Sequence, residues 1–139
     1  MGNKLGFEVE LPIAFEQAIP LVKDVLKQEG FGVLTEIDLR AAFKEKLGKD
    51  FRPYVILGAC NPPLAYAAVT ADPSIGLLLP CNVTVESAGE GRSMVRLTDP
   101  EQLLGGVAAG MAPHMGEVAK DARARMVRAT EALKRLGGP

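Results

Sequence analysis

The chain has 139 residues, a formal net charge of −1 and a hydrophobic content of 47%. This length suits a single domain over residues 1–139, which would bury roughly two-thirds of its unfolded surface. The near-neutral charge provides no basic surface for phosphates or anionic lipids, which argues against nucleic-acid and membrane partners. No apolar run reaches the ~20 residues of a membrane-spanning helix, and residues 1–4 lead into a predicted strand without a secretory segment, so we expect a cytoplasmic protein.

The residue composition also bears on redox state and source. The chain has two cysteines, and in a reducing cytoplasm we expect both to be free thiols. Asparagine and glutamine are scarce and tryptophan is absent. Because thermolabile amides are depleted in proteins that work at high temperature, this composition suggests a thermophilic source.

The first part of the chain predicts a strand, a helix and a second strand. Residues 5–11 alternate apolar and polar side chains, as in a half-buried strand. Residues 13–29 carry apolar side chains at helical spacing, and Gly30 follows where a left-handed cap ends a helix. We expect Pro20 to kink this helix because proline lacks the N–H of the helical ladder. Residues 31–37 then predict the second strand.

A short exposed helix and an apolar strand come next. Asp38 is a good N-cap for the helix, which we expect to end near Gly48. Residues 54–59 contain no charged side chain. This pattern predicts a third strand that is buried on both faces or forms the wall of a pocket.

The middle of the chain predicts a short helix of small residues. Asn61 is a favourable N-cap and Pro62 suits the first helical position, so we expect a helix over residues 64–70. The sequence Asp-Pro-Ser at 72–74 has the composition of a turn and should end this helix.

Two strands and a long helix complete the predicted order. Residues 77–86 predict a long fourth strand, and a glycine-rich turn at 89–91 leads into a fifth strand over 94–98. From about Pro113 onward, apolar residues recur every three or four positions, which predicts a long amphipathic helix that ends at the final glycine pair. Strands and helices in this order indicate an α+β fold.

Two stretches of the chain resemble a known family. They are GACNPPLAYAA at 58–68 and TADPSIGLLLPCNV at 70–83. Both resemble the signature of the bacterial and archaeal family called Domain of Unknown Function 302, and the resemblance extends over nearly the whole chain. It implies a fold like that of the TATA-binding protein, β-α-β(4)-α, with a curved antiparallel sheet, two main helices on one face and short extra helices. It also implies a homodimer, and it supplies no activity.

The candidate site consists of the two places where a cysteine precedes an asparagine. Cys60 with Asn61 and Cys81 with Asn82 put polar, reactive side chains at the ends of apolar segments. Together with Tyr66, whose hydroxyl is suited to orienting a ligand, they predict a small ligand-binding pocket. A structural interpretation also stands: cysteine often behaves as a small buried hydrophobe, and Asn61 then serves only as a helix cap.

Thiol or metal chemistry is the alternative to ligand binding. If Cys60 lies just before the helix N-cap, the free N–H groups and the helix dipole would favour its thiolate or bind an anion. His114, the only histidine, would complete a soft-metal site with Cys60 and Cys81. These residues are far apart in sequence and form no Cys-x-x-Cys motif, so we assign no metal ligand and no cofactor.

Recognisable enzyme motifs are missing from the sequence. No serine lies in a Gly-x-Ser-x-Gly elbow, and no glycine-rich segment has the form of a phosphate loop. We therefore assign no catalytic residue and expect a non-catalytic small-ligand-binding or sensory module. The alternatives are a thiol-dependent redox or soft-metal-binding protein that uses Cys60 and Cys81, and a motif that serves only folding and dimerisation.

Overall fold

The structure is a computed structural model that describes residues 4–106, 108–112 and 114–137. Strands and α-helices in this part of the chain follow one another as β1 (Gly6–Leu11), α1 (Phe15–Gln28), β2 (Gly32–Asp38), α2 (Leu39–Leu47), β3 (Tyr54–Cys60), α3 (Pro62–Ala71), β4 (Cys81–Gly89), β5 (Arg92–Thr98), α4 (Pro100–Leu104) and α5 (Met115–Leu136). Two 3-10 helices, Pro73–Leu78 and Ala108–Gly110, complete the described elements. The predicted α+β class and the predicted β-α-β(4)-α order with short extra helices are confirmed.

The strands form one antiparallel sheet in the order β1-β5-β4-β3-β2. The first two strands of the sequence therefore lie at opposite edges. Strands β4 and β5 are joined by the predicted hairpin, where Gly89 has a φ of 121° and Gly91 a φ of 71°. These positive values favour glycine because a Cβ atom would be strained there.

The main apolar core lies between one face of the sheet and helices α1 and α5. Leu26 of α1, Val83 of β4 and both Met126 and Leu133 of α5 have no exposed surface. Fully burying such a side chain stabilises the fold by about 1.5–3 kcal/mol. The prediction of two main helices on one face of the sheet is confirmed.

The ends of several helices follow local sequence signals. At the start of α2, Asp38 Oδ1 accepts a hydrogen bond from the Ala41 N–H at 2.9 Å. Helix α1 continues through Pro20 from Phe15 to Gln28 without a break. Helix α5 begins at Met115, whereas Pro113 and Gly138, which the sequence places at its two ends, lie outside the described residues. Within those residues, no helix combines the length and apolarity needed to cross a membrane.

The segment before β4 differs from the prediction. Strand β4 begins at Cys81, four residues later than expected, and Pro73–Leu78 forms a 3-10 helix. This helix starts where Asp72 Oδ1 accepts a hydrogen bond from the Ser74 N–H at 2.9 Å. Pro80 has no N–H to donate to a sheet ladder, so regular strand pairing starts directly after it.

Candidate functional site

A cavity of about 280 Å³ lies at the end of the sheet where β3 leads into α3 and the chain enters β4. Helices α4 and α5 supply its remaining wall. The lining residues are Phe31, Leu34, Thr35, Ala59, Cys60, Asn61, Leu64, Ala65, Ala68, Leu79, Pro80, Cys81, Leu104, Val118 and Ala122. None of these side chains is charged, and several are alanines, whose single methyl groups leave the space open between the elements.

Asn61 organises the first turn of α3 from the cavity wall. Its side chain is 7% exposed, and Oδ1 accepts a hydrogen bond from the Leu64 N–H at 3.2 Å. The backbone oxygen of the same residue accepts the Ala65 N–H at 2.9 Å. The two residues between, Pro62 and Pro63, have no N–H group. The predicted cap is confirmed, and the N–H groups of residues 62–65 are either missing or already bonded.

The side-chain nitrogen of Asn61 lies next to a glycine at the end of α1. A Cβ atom on Gly30 would come within 2.8 Å of Asn61 Nδ2. Gly30 also has a φ of 83°, so both its backbone conformation and this close approach require glycine. Among the described residues no acceptor is bonded to Nδ2, since the side chain's hydrogen bond is made by Oδ1. Asn61 is thus one of the few polar residues in a mostly apolar lining, and its Nδ2 lies beside Gly30 and close to the Arg125 guanidinium.

Both cysteines line this cavity, and both are free thiols. Cys81 pairs across the sheet with Ala59, the residue before Cys60. Burial raises the pKa of the Cys81 thiol to about 11, and the neighbouring Cys60 acts in the same direction. Cys81 is therefore an uncharged thiol at neutral pH, and its side chain adds no charge to the cavity.

The expected interaction between the start of α3 and an anion is not available. Sequence reasoning relied on free N–H groups to hold a Cys60 thiolate or a bound anion. In the structure the two prolines remove two of those donors, and Asn61 accepts the next two with its side-chain and backbone oxygens. None of the N–H groups of residues 62–65 is therefore left for the Cys60 sulfur or for a ligand anion.

Two of the five predicted site residues lie outside the cavity. Tyr66 is 75% exposed because Leu64, Ala65 and Ala68 occupy the cavity face of α3 and Tyr66 points away from it. Asn82 faces the other side of the sheet because side chains alternate along a strand, and it lines a separate pocket there. The structure brings Cys60, Asn61 and Cys81 together, which corrects the prediction of one pocket around all five residues.

His114 does not join the two cysteines. It lies just before α5 with a φ of 68°, and its exposed Nδ1 atom is 3.3 Å from Glu117 Oε2. Within the part of the chain that the structure describes, no group of three or more His, Cys, Asp or Glu side chains is placed to hold a metal ion. The soft-metal combination of His114, Cys60 and Cys81 is therefore not assembled.

Sequence reasoning missed the contribution of Thr35 to the cavity. The Thr35 hydroxyl oxygen occupies the space where Gly58 would carry a Cβ atom, and Pro80 Cγ lies 2.9 Å from the same position. Gly58 therefore allows β2 and the residue before β4 to approach β3 closely. A glycine inside an otherwise apolar strand is a known sign of such an approach, so this signal was present in the sequence.

The opposite face of the sheet carries a network of charges that is separate from the cavity. Glu86 of β4 is 5% exposed and accepts hydrogen bonds from Arg52 and Arg96. Burial alone would raise the pKa of Glu86, but the hydrogen bonds and charges of the two arginines outweigh it and lower the pKa. Arg96 Nε also donates to Glu8 Oε2 at 2.6 Å. These pairs satisfy one another and link β1, β5 and β4 on this face of the sheet.

Comparisons with known proteins identify a family without naming an activity. The family model described as "Domain of unknown function DUF302" matches residues 7–133. The structure is similar to the crystal structure of an uncharacterized conserved protein DUF302 from Bacillus stearothermophilus, with a TM-score of 0.78. The two chains are 29% identical, and the match covers 93% of this chain and 98% of the other. No curated protein matches the chain.

Proposed function

Because the chain belongs to the DUF302 family, whose description assigns no activity, we propose its function from the cavity itself. The protein is a non-catalytic small-ligand-binding or sensory module that holds a small molecule beside Cys60, Asn61 and Cys81. The observation that carries this proposal is a space of about 280 Å³ with apolar walls and a few polar groups. Ligand pockets have this character and begin at about 300 Å³.

The apolar surface of the space favours a binding role over a purely structural one. The space is partly open to solvent, so water covers its apolar lining when no ligand is bound. Transferring apolar surface out of water is favourable. A bound apolar molecule would therefore be stabilised by displacing this water from the lining.

The character of the lining favours binding over catalysis. Its residues include no histidine, carboxylate or lysine that would transfer a proton. Cys60 is a nucleophile by residue type, but no general base lines the cavity beside it. Cys81 stays protonated because its pKa is raised to about 11. The two thiols in one cavity are the observation that supports the alternative, a thiol-dependent redox protein, and the rate at which Cys81 is alkylated tests it.

A matched pair of substitutions on α3 tests the binding function. Ala65 lines the cavity, whereas Ala67 lies on the exposed face of the same helix. We expect Ala65→Phe to fill the cavity and abolish binding of uncharged fragments, measured by saturation-transfer NMR on the full chain. Ala67→Phe adds the same ring outside the cavity and should leave binding unchanged. Equal binding by both variants, or no fragment bound by the wild type, would contradict the proposal.

We also propose that the chain forms a homodimer, as the family resemblance implies. The monomer has a mass of 14.7 kDa, so light scattering during size-exclusion chromatography separates the two states clearly. A mass of one chain at all accessible concentrations would refute the dimer. The cytoplasmic location and the thermophilic source stay predictions.

A further inference from the structure

We propose that the cavity selects an uncharged, mainly aliphatic ligand whose hydrogen-bond acceptor meets Asn61 Nδ2, and that it rejects carboxylates and phosphates of the same shape. This inference rests on the proposed binding function and adds the chemical class of the ligand. Three properties of the cavity support it: its volume, the absence of charged residues from its lining, and the donor on Asn61.

The volume limits the ligand to a small molecule. An apolar cavity of about 150 Å³ is large enough to bind benzene. The cavity here has about 280 Å³, nearly twice that space. A ligand of about a dozen non-hydrogen atoms fits this volume, for example a chain of eight carbons with a small polar head.

The lining offers no partner for an anion. None of the lining residues is cationic, and the Cys81 thiol carries no charge at neutral pH. The start of α3 would be the natural anion site, but Pro62 and Pro63 lack N–H groups and Asn61 accepts the next two. A carboxylate that entered would exchange its hydration for neutral donors such as Asn61 Nδ2, with no cationic lining residue to balance its charge. Its affinity should therefore be at least about 100-fold lower than that of the matched neutral ligand.

The donor that selects the polar head is fixed by the helix cap. Asn61 Oδ1 accepts the Leu64 N–H, and this bond determines which end of the amide is oxygen and which is nitrogen. The residue is 7% exposed, and Nδ2 has no acceptor among the described residues. Nδ2 is not among the fully enclosed atoms, so this donor is free to meet an acceptor from outside the chain. An acceptor on the ligand, such as an amide or ester carbonyl, would supply the hydrogen bond that the protein does not.

The test compares two probes with the same carbon chain. Octanamide is neutral, whereas octanoate is an anion at pH 7.5. We expect titration calorimetry on the full chain to show octanamide binding to the wild type and octanoate binding at least about 100-fold more weakly. Asn61→Asp keeps an oxygen that caps α3 but removes the amide donor, because aspartate is as good an N-cap as asparagine. It should weaken octanamide binding about tenfold.

Asn82→Asp is the matched control because it makes the same change at the other Cys-Asn pair, on the opposite face of the sheet. It should not alter octanamide binding. Asn61→Ser, which also caps a helix but lacks the amide, repeats the test if the aspartate variant does not fold. Full octanamide affinity in both folded Asn61 variants would overturn the assigned donor.

The outcomes separate this inference from the binding function on which it rests. If octanoate binds the wild type as well as octanamide does and Ala65→Phe abolishes both, the charge selectivity is overturned while cavity binding stands. If octanamide fails to bind, but uncharged fragments bind the wild type and no longer bind Ala65→Phe, the proposed chemical class of the ligand is overturned while cavity binding stands. If neither probe nor any fragment binds the wild type, both proposals are overturned.

Discussion

The Cys81 thiol gives a prediction whose size follows from its burial. The structure raises the pKa of Cys81 to about 11 from an ordinary value of 9.0. At pH 8 an ordinary thiol is about 9% thiolate, whereas a thiol with a pKa near 11 is about 0.1% thiolate. Because the thiolate is the reactive form, we expect iodoacetamide to alkylate Cys81 about 100-fold more slowly in the native protein than in urea.

The assay needs the two cysteines on different peptides. Cleavage before Asp72, which lies between Cys60 and Cys81 in the sequence, separates them for mass spectrometry. The native rate at Cys81 is compared with the rate for the same peptide in urea. A native rate equal to the urea rate would refute the argument and would favour a thiol-dependent function. Protection of either cysteine by added zinc or copper(I) would support the metal alternative.

The same pKa makes stability depend on pH at the alkaline side. The folded state keeps the Cys81 proton to about pH 11, whereas the unfolded chain loses it near pH 9. The contribution of this thiol to the free energy of unfolding is therefore complete below pH 9 and is lost as the pH rises towards 11. The loss amounts to about 2–3 kcal/mol. Lysines and tyrosines titrate in the same range, so the measurement is the difference between wild type and Cys81→Ala in urea unfolding at pH 8 and pH 11. A constant difference would contradict the prediction.

Two further predictions concern the sheet. Gly58→Ala should destabilise the fold by about 1–3 kcal/mol, because its Cβ would meet the side chains that pack over β3. Gly76→Ala is the control, because the added Cβ would meet open space and should change the melting temperature little. Equal melting temperatures of the two variants would contradict the predicted clash at Gly58. Glu86→Gln should cost about 1–2 kcal/mol because Arg52 and Arg96 lose a charged partner while both stay accessible to solvent. Since the pKa of Glu86 is lowered, its contribution to the free energy of unfolding is present above pH 4.5 and is lost as the pH falls through the lowered value. The stabilities of wild type and variant should therefore converge in acid. A difference in stability that stays constant with pH would contradict this.

The sequence predicted those features that depend on neighbouring residues. Asp38 and Asn61 cap their helices as expected because an N-cap needs only its own side chain and the next three residues. The hairpin between β4 and β5 follows from glycines that accept positive φ. By contrast, the apolar residues before Pro80 were assigned to a strand because a short apolar run has the same composition in a strand and in a buried turn of helix.

The site was predicted only in part, because the periodicity of each strand and helix decides which side chains face the cavity. Cys81 and Asn82 are adjacent in sequence, yet the two-residue period of a strand sends them to opposite faces of the sheet. Tyr66 lies one residue from the cavity-lining Ala65, and the helical rotation between them turns its ring into solvent. Neighbouring residues in a sequence motif therefore need not share a site, and only the packing of α3 against α5 decides which of them do.

The segment Asn-Pro-Pro at 61–63 shows how one local signal sets both structure and chemistry. The prolines favour the start of a helix because their φ is already helical and their missing N–H groups are not needed there. For the same reason they delete the donors with which most helix starts attract anions. Asn61 then uses its oxygens on the two donors that follow, and its side-chain nitrogen is left without an acceptor among the described residues. A helix start that would ordinarily attract phosphates and carboxylates thereby loses those donors, which is why we propose that the cavity beside it takes neutral molecules.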